Sequence, residues 1–351
     1  MATPATATPA LDSPPRLRWF DKFILLVALG IGVALFVTVG WMALAPRDPH
    51  GAVSLVTATS PLAVILQATL LVAVAAVVAT VMIGTKLPDV GVFAAALGLA
   101  LASLQGNTSA YLLISVAGGD RGAERALAGK LAIESVVWFL LIVVAIAVSG
   151  AVMRWCLGMA DRRGEPAENP GAGHRGNPLA RMAASECPGI ARLAPESVTA
   201  NPSRASVLNG LKITAIMTVA GLLIFATLVS GYSPQMIRHG QTCFAAFTAF
   251  YLGGWIAYRN FSARTALWAI LAVPLTAIAG YGWTMVYGAA SGRYAHLASI
   301  PVSDFLRALP ITFISVGTLG ALFAHWAADA PKPAPKPKGT ERPRKPHRAT
   351  R

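Results

Sequence analysis

Residues 61–84 read PLAVILQATLLVAVAAVVATVMIG, and this stretch decides the fold. It holds no charged side chain, and its polar ones are Gln67, Thr69 and Thr80. At about 1.5 Å of rise per residue, a helix of this length clears the ~30 Å hydrocarbon core of a bilayer. A helix apolar on every side has no face to offer water, so it belongs in lipid or deep inside a helical bundle. Seven further runs resemble it: Phe23–Leu44, Val90–Ser115, Leu131–Met153, Leu211–Ser230, Thr242–Tyr258, Leu267–Tyr287 and Pro310–Ala328. Thr242–Tyr258 is the shortest of the set. Buried helices of soluble proteins are mostly shorter and one-sided, so eight such runs point to an all-α, polytopic transmembrane bundle of about eight spans.

Composition agrees. Of the 351 residues, 55% are hydrophobic and only 13% are charged, against about 25% charged in ordinary soluble domains. The polar segment before the first run is long and rich in Pro, Ala and Thr. The run itself is of span length, unlike the short apolar region of a secretory signal. It is therefore expected to remain as a span.

Lys and Arg set the orientation, because basic residues concentrate in cytoplasmic segments. With the N-terminus inside, 22 of the 29 basic residues fall on the inner side. The bias survives removal of the C-terminal tail. An even number of spans also returns that basic tail to the inner side. The expected setting is a bacterial inner membrane, with both ends in the cytoplasm.

The chain divides into 1–18, a polar N-terminal segment; 19–155, a four-helix half; 156–207, a linker; 208–329, a second four-helix half; and 330–351, a basic tail. The two termini and the linker are poor in large apolar residues and cannot offset their ordering entropy, so disorder is expected there. The tail supplies half of the chain's net charge of +14 through Lys332, Lys336, Lys338, Arg342, Arg344, Lys345, Arg348 and Arg351. Beside a last span it should lie against anionic lipid headgroups, at about 1 kcal/mol per basic residue near the surface. It has no interleaved aromatic residue for base stacking, which argues against nucleic acid.

The four-loop-four layout admits a duplication, and an even number of spans per half makes it the parallel kind. Small residues recur every fourth position in the third run (Ala94, Gly98, Ala102, Gly106, Ala110) and in the seventh (Ala272, Thr276, Gly280, Thr284, Gly288). Such stripes let helix backbones approach closely, so these two spans are expected to be packing centres.

Charge inside a bilayer is costly and usually marks function. Glu134 is the acidic residue nearest a span interior, in the first turn of the fourth run, where the helix dipole favours it. Gln105, Asn107, Thr108 and Ser109 interrupt the outer part of the third run at about the same depth. A Gln–Asn–Glu contact would make either a polar pocket or helix–helix hydrogen bonds at ~0.6–2 kcal/mol each. His50, His239 and His296 fall on three predicted outer loops, as do Asp48, Asp120 and Asp304. They are weak metal candidates, because none has a ligand spacing along a helix. Cys156, Cys187 and Cys243 match no zinc pattern. Nucleotide, hydrolase, metalloprotease and dithiol motifs are missing, and no cofactor is implied.

Three functions follow, in order. The first is a non-catalytic structural or partner subunit of a membrane assembly. The second is a transporter of a small uncharged or lipophilic solute, with a cavity between spans three, four and seven. The third is a membrane enzyme whose outer-loop Asp48, His50, Asp120, His239, His296 and Asp304 converge.

Overall fold

A computed structural model describes residues 19–46, 48, 51–84, 87, 89–109, 111–113, 120–162, 204–229, 239–261, 266–287 and 304–329. Helix dominates them and strand is absent among them. The helices are α1 (Trp19–Leu44), α2 (Pro61–Ile83), α3 (Val90–Gln105), α4 (Arg121–Arg162), α5 (Arg204–Val229), α6 (His239–Asn260), α7 (Leu267–Tyr287) and α8 (Pro310–Asp329), with a 3-10 turn at Asp304–Arg307. The predicted tail, residues 1–18, most of the linker, His50 and His296 lie outside the described residues.

Six helices are long and apolar enough to cross a membrane: α1, α2, α4, α5, α7 and α8. The protein is thus a multi-pass helical membrane protein by length and composition. The other two predicted spans depart from this standard for different reasons. α6 has the length, at 22 residues, but carries Gln241, Thr242, Thr248, Tyr251, Tyr258, Arg259 and Asn260. α3 stops after 16 residues, because Gly106 is extended (φ −79°, ψ −179°). The Asn107 N–H then bonds to the Gly51 carbonyl at 3.0 Å instead of continuing the helix. The third predicted span, Val90–Ser115, is therefore cut at its polar residues.

α4 is longer than its apolar run on both sides. It begins at Asp120, whose carboxylate accepts the Ala123 N–H at 2.9 Å and whose carbonyl accepts the Glu124 N–H at 2.9 Å. A side-chain oxygen on an otherwise unpaired first-turn donor is what starts a helix. α1 contains a π-helical turn at Phe36–Gly40. Here Gln105 Nε2 donates to the Val37 carbonyl at 3.2 Å and Thr38 Oγ1 to the Ala34 carbonyl at 2.6 Å. Such single π turns disturb the regular helical ladder.

Packing has an ordered plan. α1 packs on α2 and α3, α2 on α3 and α4, and α3 on α4. In the second half α5 packs on α6 and α7, α6 on α8, and α7 on α8. The halves join through α3–α8, α4–α7 and α4–α8. Advancing every helix by four carries α1–α2 to α5–α6, α1–α3 to α5–α7, α2–α4 to α6–α8 and α3–α4 to α7–α8. It exchanges α3–α8 with α4–α7 and returns α4–α8 to itself. The α2–α3 seam has no comparable counterpart between α6 and α7.

α8 is the packing centre, although the small-residue stripes pointed to α3 and α7. It is the least apolar of the six apolar helices, with a mean hydropathy of 1.5, yet the most enclosed, at 78% buried. Its Thr312, Ser315 and Thr318 are buried, and Thr312 Oγ1 donates to Ser103 Oγ of α3 at 3.1 Å. Ser315 Oγ and Thr318 Oγ1 donate back to their own helix, to the Ile311 carbonyl at 2.6 Å and the Ile314 carbonyl at 2.7 Å, so the buried hydroxyls of α8 are all satisfied.

The stripes do mark close approaches. An added Cβ at Gly98 would lie 2.1 Å from the Phe36 ring, which is wholly buried at the π turn of α1. Gly98→Ala is expected to cost about 1–3 kcal/mol by overpacking. Chemical unfolding in detergent measures it. Combining the change with Phe36→Leu should recover part of the loss, because the two sites share one contact.

Candidate functional site

The helix ends that meet Glu134 form a polar cap. In α4, Leu131, Trp138, Ile142 and Ala145 line the buried face, and Glu134 shares it, with 2% of its surface exposed. Its carboxylate is surrounded by donors. Ser54 Oγ donates to Oε2 at 2.6 Å, and Trp138 Nε1 donates to Oε1 at 2.8 Å. Backbone hydrogen bonds from Leu55 and Val56 reach it as well. Trp138 lies four residues after Glu134, one helical turn on and on the same face. The other donors come from the segment between α1 and α2, where Gly51, Ala52, Val53 and Ser54 are all buried. That segment is tucked into the bundle and held there by the carboxylate.

Around it, other bonds tie the same ends together. His239 Nε2, at the start of α6, lies 2.9 Å from the Gly106 carbonyl beyond α3. With a carbonyl as acceptor, Nε2 is the donor. Ser109 Oγ donates to the Arg307 carbonyl at 2.5 Å, and Arg307 Nη1 to the Val229 carbonyl at the end of α5 at 2.7 Å. Tyr281 Oη of α7 donates to the Ala308 carbonyl at 2.8 Å, and Tyr111 Oη to Asp48 Oδ2. The chain after α1, the chain after α3 and the end of α5 thus meet the beginning of α6, the turn before α8 and, at Glu134, the fourth turn of α4.

At the opposite end, Trp326 Nε1 of α8 donates to Asp89 Oδ2 before α3, at 3.3 Å. Lys212 Nζ sits 5.3 Å over the Phe261 ring, and the Arg259 guanidinium 5.4 Å from the Trp255 ring. Cations over aromatic faces suit a membrane–water boundary, where both must stay half solvated.

The predicted site residues separate. Glu134 is held by Ser54, Trp138 and the 55–56 backbone; Gln105 turns to α1, and Asn107 Oδ1 accepts the Thr108 N–H at 2.7 Å. The outer-loop acids and His239 occupy distinct places: Asp48 binds Tyr111, Asp120 caps α4, and His239 braces the chain after α3. Among the described residues no three His, Cys, Asp or Glu side chains gather closely enough to hold a metal. Ser54 was not legible in advance, since nothing local marks it as a partner. Glu124, buried at 1% exposure one turn into α4, was also missed; it resembled any surface acid at a helix start.

A pocket of about 230 Å³ opens beyond Ser54 and Trp138, on the far side of these two donors from the carboxylate's own enclosed site; Glu134 does not line it. Pro46, Ser54, Thr59, Ser60, Ala63 and Trp138 are among its walls. It lies between the end of α1, the start of α2 and α4, away from the cavity expected between spans three, four and seven. No family model, curated protein or solved structure matches the chain.

Burial lowers the pKa of His239 below the usual histidine value, and the carbonyls of Gly106 and Asn107 offset part of this. A depressed value means the unfolded chain takes the proton first, so the stabilisation is complete above about pH 6.5 and lost as pH falls through the lowered value. His239→Gln keeps a donor for Gly106 and removes the titration. The gap in melting temperature between parent and variant, followed from pH 7.5 to 5, should shift against the parent as the pH drops.

Proposed function

We propose that the chain is an eight-span protein of a bacterial inner membrane, with both ends cytoplasmic. It serves as a non-catalytic partner subunit of a membrane assembly. The observation that carries the role is the saturation of Glu134: its carboxylate is spent on fastening the segment between α1 and α2 to α4, through Ser54, Trp138 and backbone donors. A proton- or ion-coupled carrier relies on intramembrane ionisable groups that can change partners, and a carboxylate fully engaged in fastening a loop does not suit that role. Supporting the eight crossings is the gathering of alternate helix ends at one cap, with α3 and α6 among them. Supporting a 4+4 origin is the neighbour plan, most of which repeats after a shift of four helices. The basic tail, cytoplasmic on this reading, contacts anionic headgroups through its Lys and Arg side chains.

Transport of a small uncharged or lipophilic solute is the second reading, and the pocket beside Trp138 is the feature in its favour. A scan of Gln105, Asn107, Glu134, His50, His239 and His296 to alanine separates the two. In purified protein, the subunit reading expects the cap variants to melt lower, with no stabilisation of the parent by divalent metals or uncharged solutes. A variant that keeps its melting point but loses a solute-induced shift would favour transport or catalysis instead.

A further inference from the structure

The stretch that decided the fold, residues 61–84, keeps an exposed polar group that no described residue satisfies. Gln67 is exposed, and its carboxamide makes no hydrogen bond to any described residue. It stands six residues into the 23-residue α2, about 9 Å from the helix start at 1.5 Å per residue. That is inside the ~30 Å hydrocarbon core, which α2 is long and apolar enough to cross. Exposed threonines on other spans turn back on their own helix: Thr38 donates to the Ala34 carbonyl at 2.6 Å and Thr227 to the Leu223 carbonyl at 2.7 Å. A carboxamide carries two N–H donors and two acceptor sites, so one such bond would not satisfy it. Lipid tails offer it no partner, and an unpaired polar group in hydrocarbon is costly.

Gln67 belongs to a regular stripe. Ala63, Gln67, Leu70, Val74, Val77 and Val81 are spaced four, three, four, three and four residues apart, and all six are exposed. That is the 3.5-residue period of a left-handed helix–helix seam. Written as a heptad, Gln67, Val74 and Val81 take position a, and Ala63, Leu70 and Val77 take position d. Valine at a, leucine at d and a single polar residue at a favour two parallel strands in one register. The opposite face of α2, with Ala68, Leu71, Ala75 and Ala79, is buried, and the chain's own α1, α3 and α4 pack on α2. Copies of one chain enter the membrane in the same sense, so α2 meets its mate in parallel, and equivalent a residues face each other across the two-fold axis. A carboxamide both donates and accepts, so Gln67 is its own complement. We infer that α2 is the seam of a parallel homodimer, closed within the bilayer by hydrogen bonds between the Gln67 side chains of two copies. The occupant of the stripe is a second copy of this chain. The inference rests on α2 and not on the Glu134 cap, so it stands apart from the partner-subunit reading.

The test uses the full chain, lacking Cys156, Cys187 and Cys243, in isolated membranes. Leu70→Cys, Val74→Cys and Val77→Cys should each give a disulfide-linked product of doubled mass under a mild oxidant. Leu62→Cys and Leu223→Cys are matched controls: these leucines are 68% and 65% exposed, against 66% for Leu70, but lie off the stripe. They should give several-fold less product. Equal product at stripe and control positions would overturn the seam. So would stripe cysteines that give no self-linked product, including ones that link only to a different membrane protein. The amide is tested by diluting donor- and acceptor-labelled protein in lipid bilayers, with energy transfer reporting the dimer. Gln67→Leu should weaken association about ten-fold, the scale of an interhelical polar contact, and leave the melting temperature of the dilute protein unchanged. Gln67→Asn, still its own complement, should weaken it less. A Gln67→Leu dimer as tight as the parent's would overturn the role of the amide.

Discussion

Glu134→Ala is expected to remove about 3 kcal/mol or more of stability. The change leaves the indole N–H of Trp138 and the backbone donors of Leu55 and Val56 without their acceptor, along with Ser54 Oγ. Each buried donor left unpaired costs about 1–3 kcal/mol. Partial access of water after the mutation sets where the sum falls. Glu134→Gln keeps one acceptor oxygen but turns an amide against a donor, so it should cost about 1–2 kcal/mol. Trp138→Phe deletes a single donor while the carboxylate keeps its other partners, but it also leaves a cavity where the buried indole was, so a loss of about 1–3 kcal/mol is expected. Glu134→Ala should therefore rank below Glu134→Gln in unfolding free energy, measured in detergent with a reversible denaturant. A Glu134→Gln variant as stable as the parent would show that the carboxylate is not fastening the loop.

The second large effect lies at the seam between α6 and α8. An added Cβ at Gly320 would stand 2.5 Å from the Phe247 carbonyl oxygen and 3.2 Å from the Tyr251 nitrogen, both backbone atoms of α6. One turn on, Ala324 lies where a Cβ at Gly254 would come, at 2.5 Å. Gly320 and Ala324 thus form a small-residue face that lets two helices nearly touch. A side-chain neighbour can swing away, but a backbone neighbour moves only with its whole helix. Gly320→Ala should cost about 1–3 kcal/mol, and Gly320→Val should exceed that range. α8 also contacts α3, α4 and α7, so the strain should spread through the centre of the bundle. Melting temperature and the fraction of monodisperse protein after gel filtration both report it. Gly30, with open space around its Cβ position, is the matched control and should tolerate alanine.

What the sequence made legible is the part written locally. A run such as residues 61–84 can be recognised without knowing its neighbours, because lipid or protein on all sides is the only setting in which it is stable. The stripe through Gly98 and Gly280 was also legible, since a missing side chain every fourth residue implies a close partner. What it did not say is which partner: the Phe36 ring for Gly98, and the Phe305 ring for Gly280. The end of α3 was half legible. Gln105 to Ser109 stood out as polar, but the choice between a polar patch within a helix and a helix end depends on the Gly51 carbonyl, which belongs to another loop. Glu134 was singled out for its depth, and Trp138, one turn further on, was within reach of the same argument. Ser54 and the 55–56 backbone were not, because a backbone donor has no letter in the sequence. The same holds for His239, whose partner is a glycine carbonyl. The centrality of α8 was hidden for a different reason. A modestly apolar helix resembles a marginal span, and only its surroundings show that protein, not lipid, covers its hydroxyls.

The central claim is that all eight helices cross, including short α3 and polar α6. Single cysteines placed in a chain lacking Cys156, Cys187 and Cys243 test it, with a membrane-impermeant maleimide applied to intact cells and to lysed ones. Thr57→Cys, Asp120→Cys and Gln241→Cys should react in intact cells. Lys86→Cys and Asn260→Cys should react only after lysis. Equal accessibility of residues 86 and 120 from one side would mean that α3 does not cross, and equal accessibility of 241 and 260 would say the same of α6; either result would contradict the account.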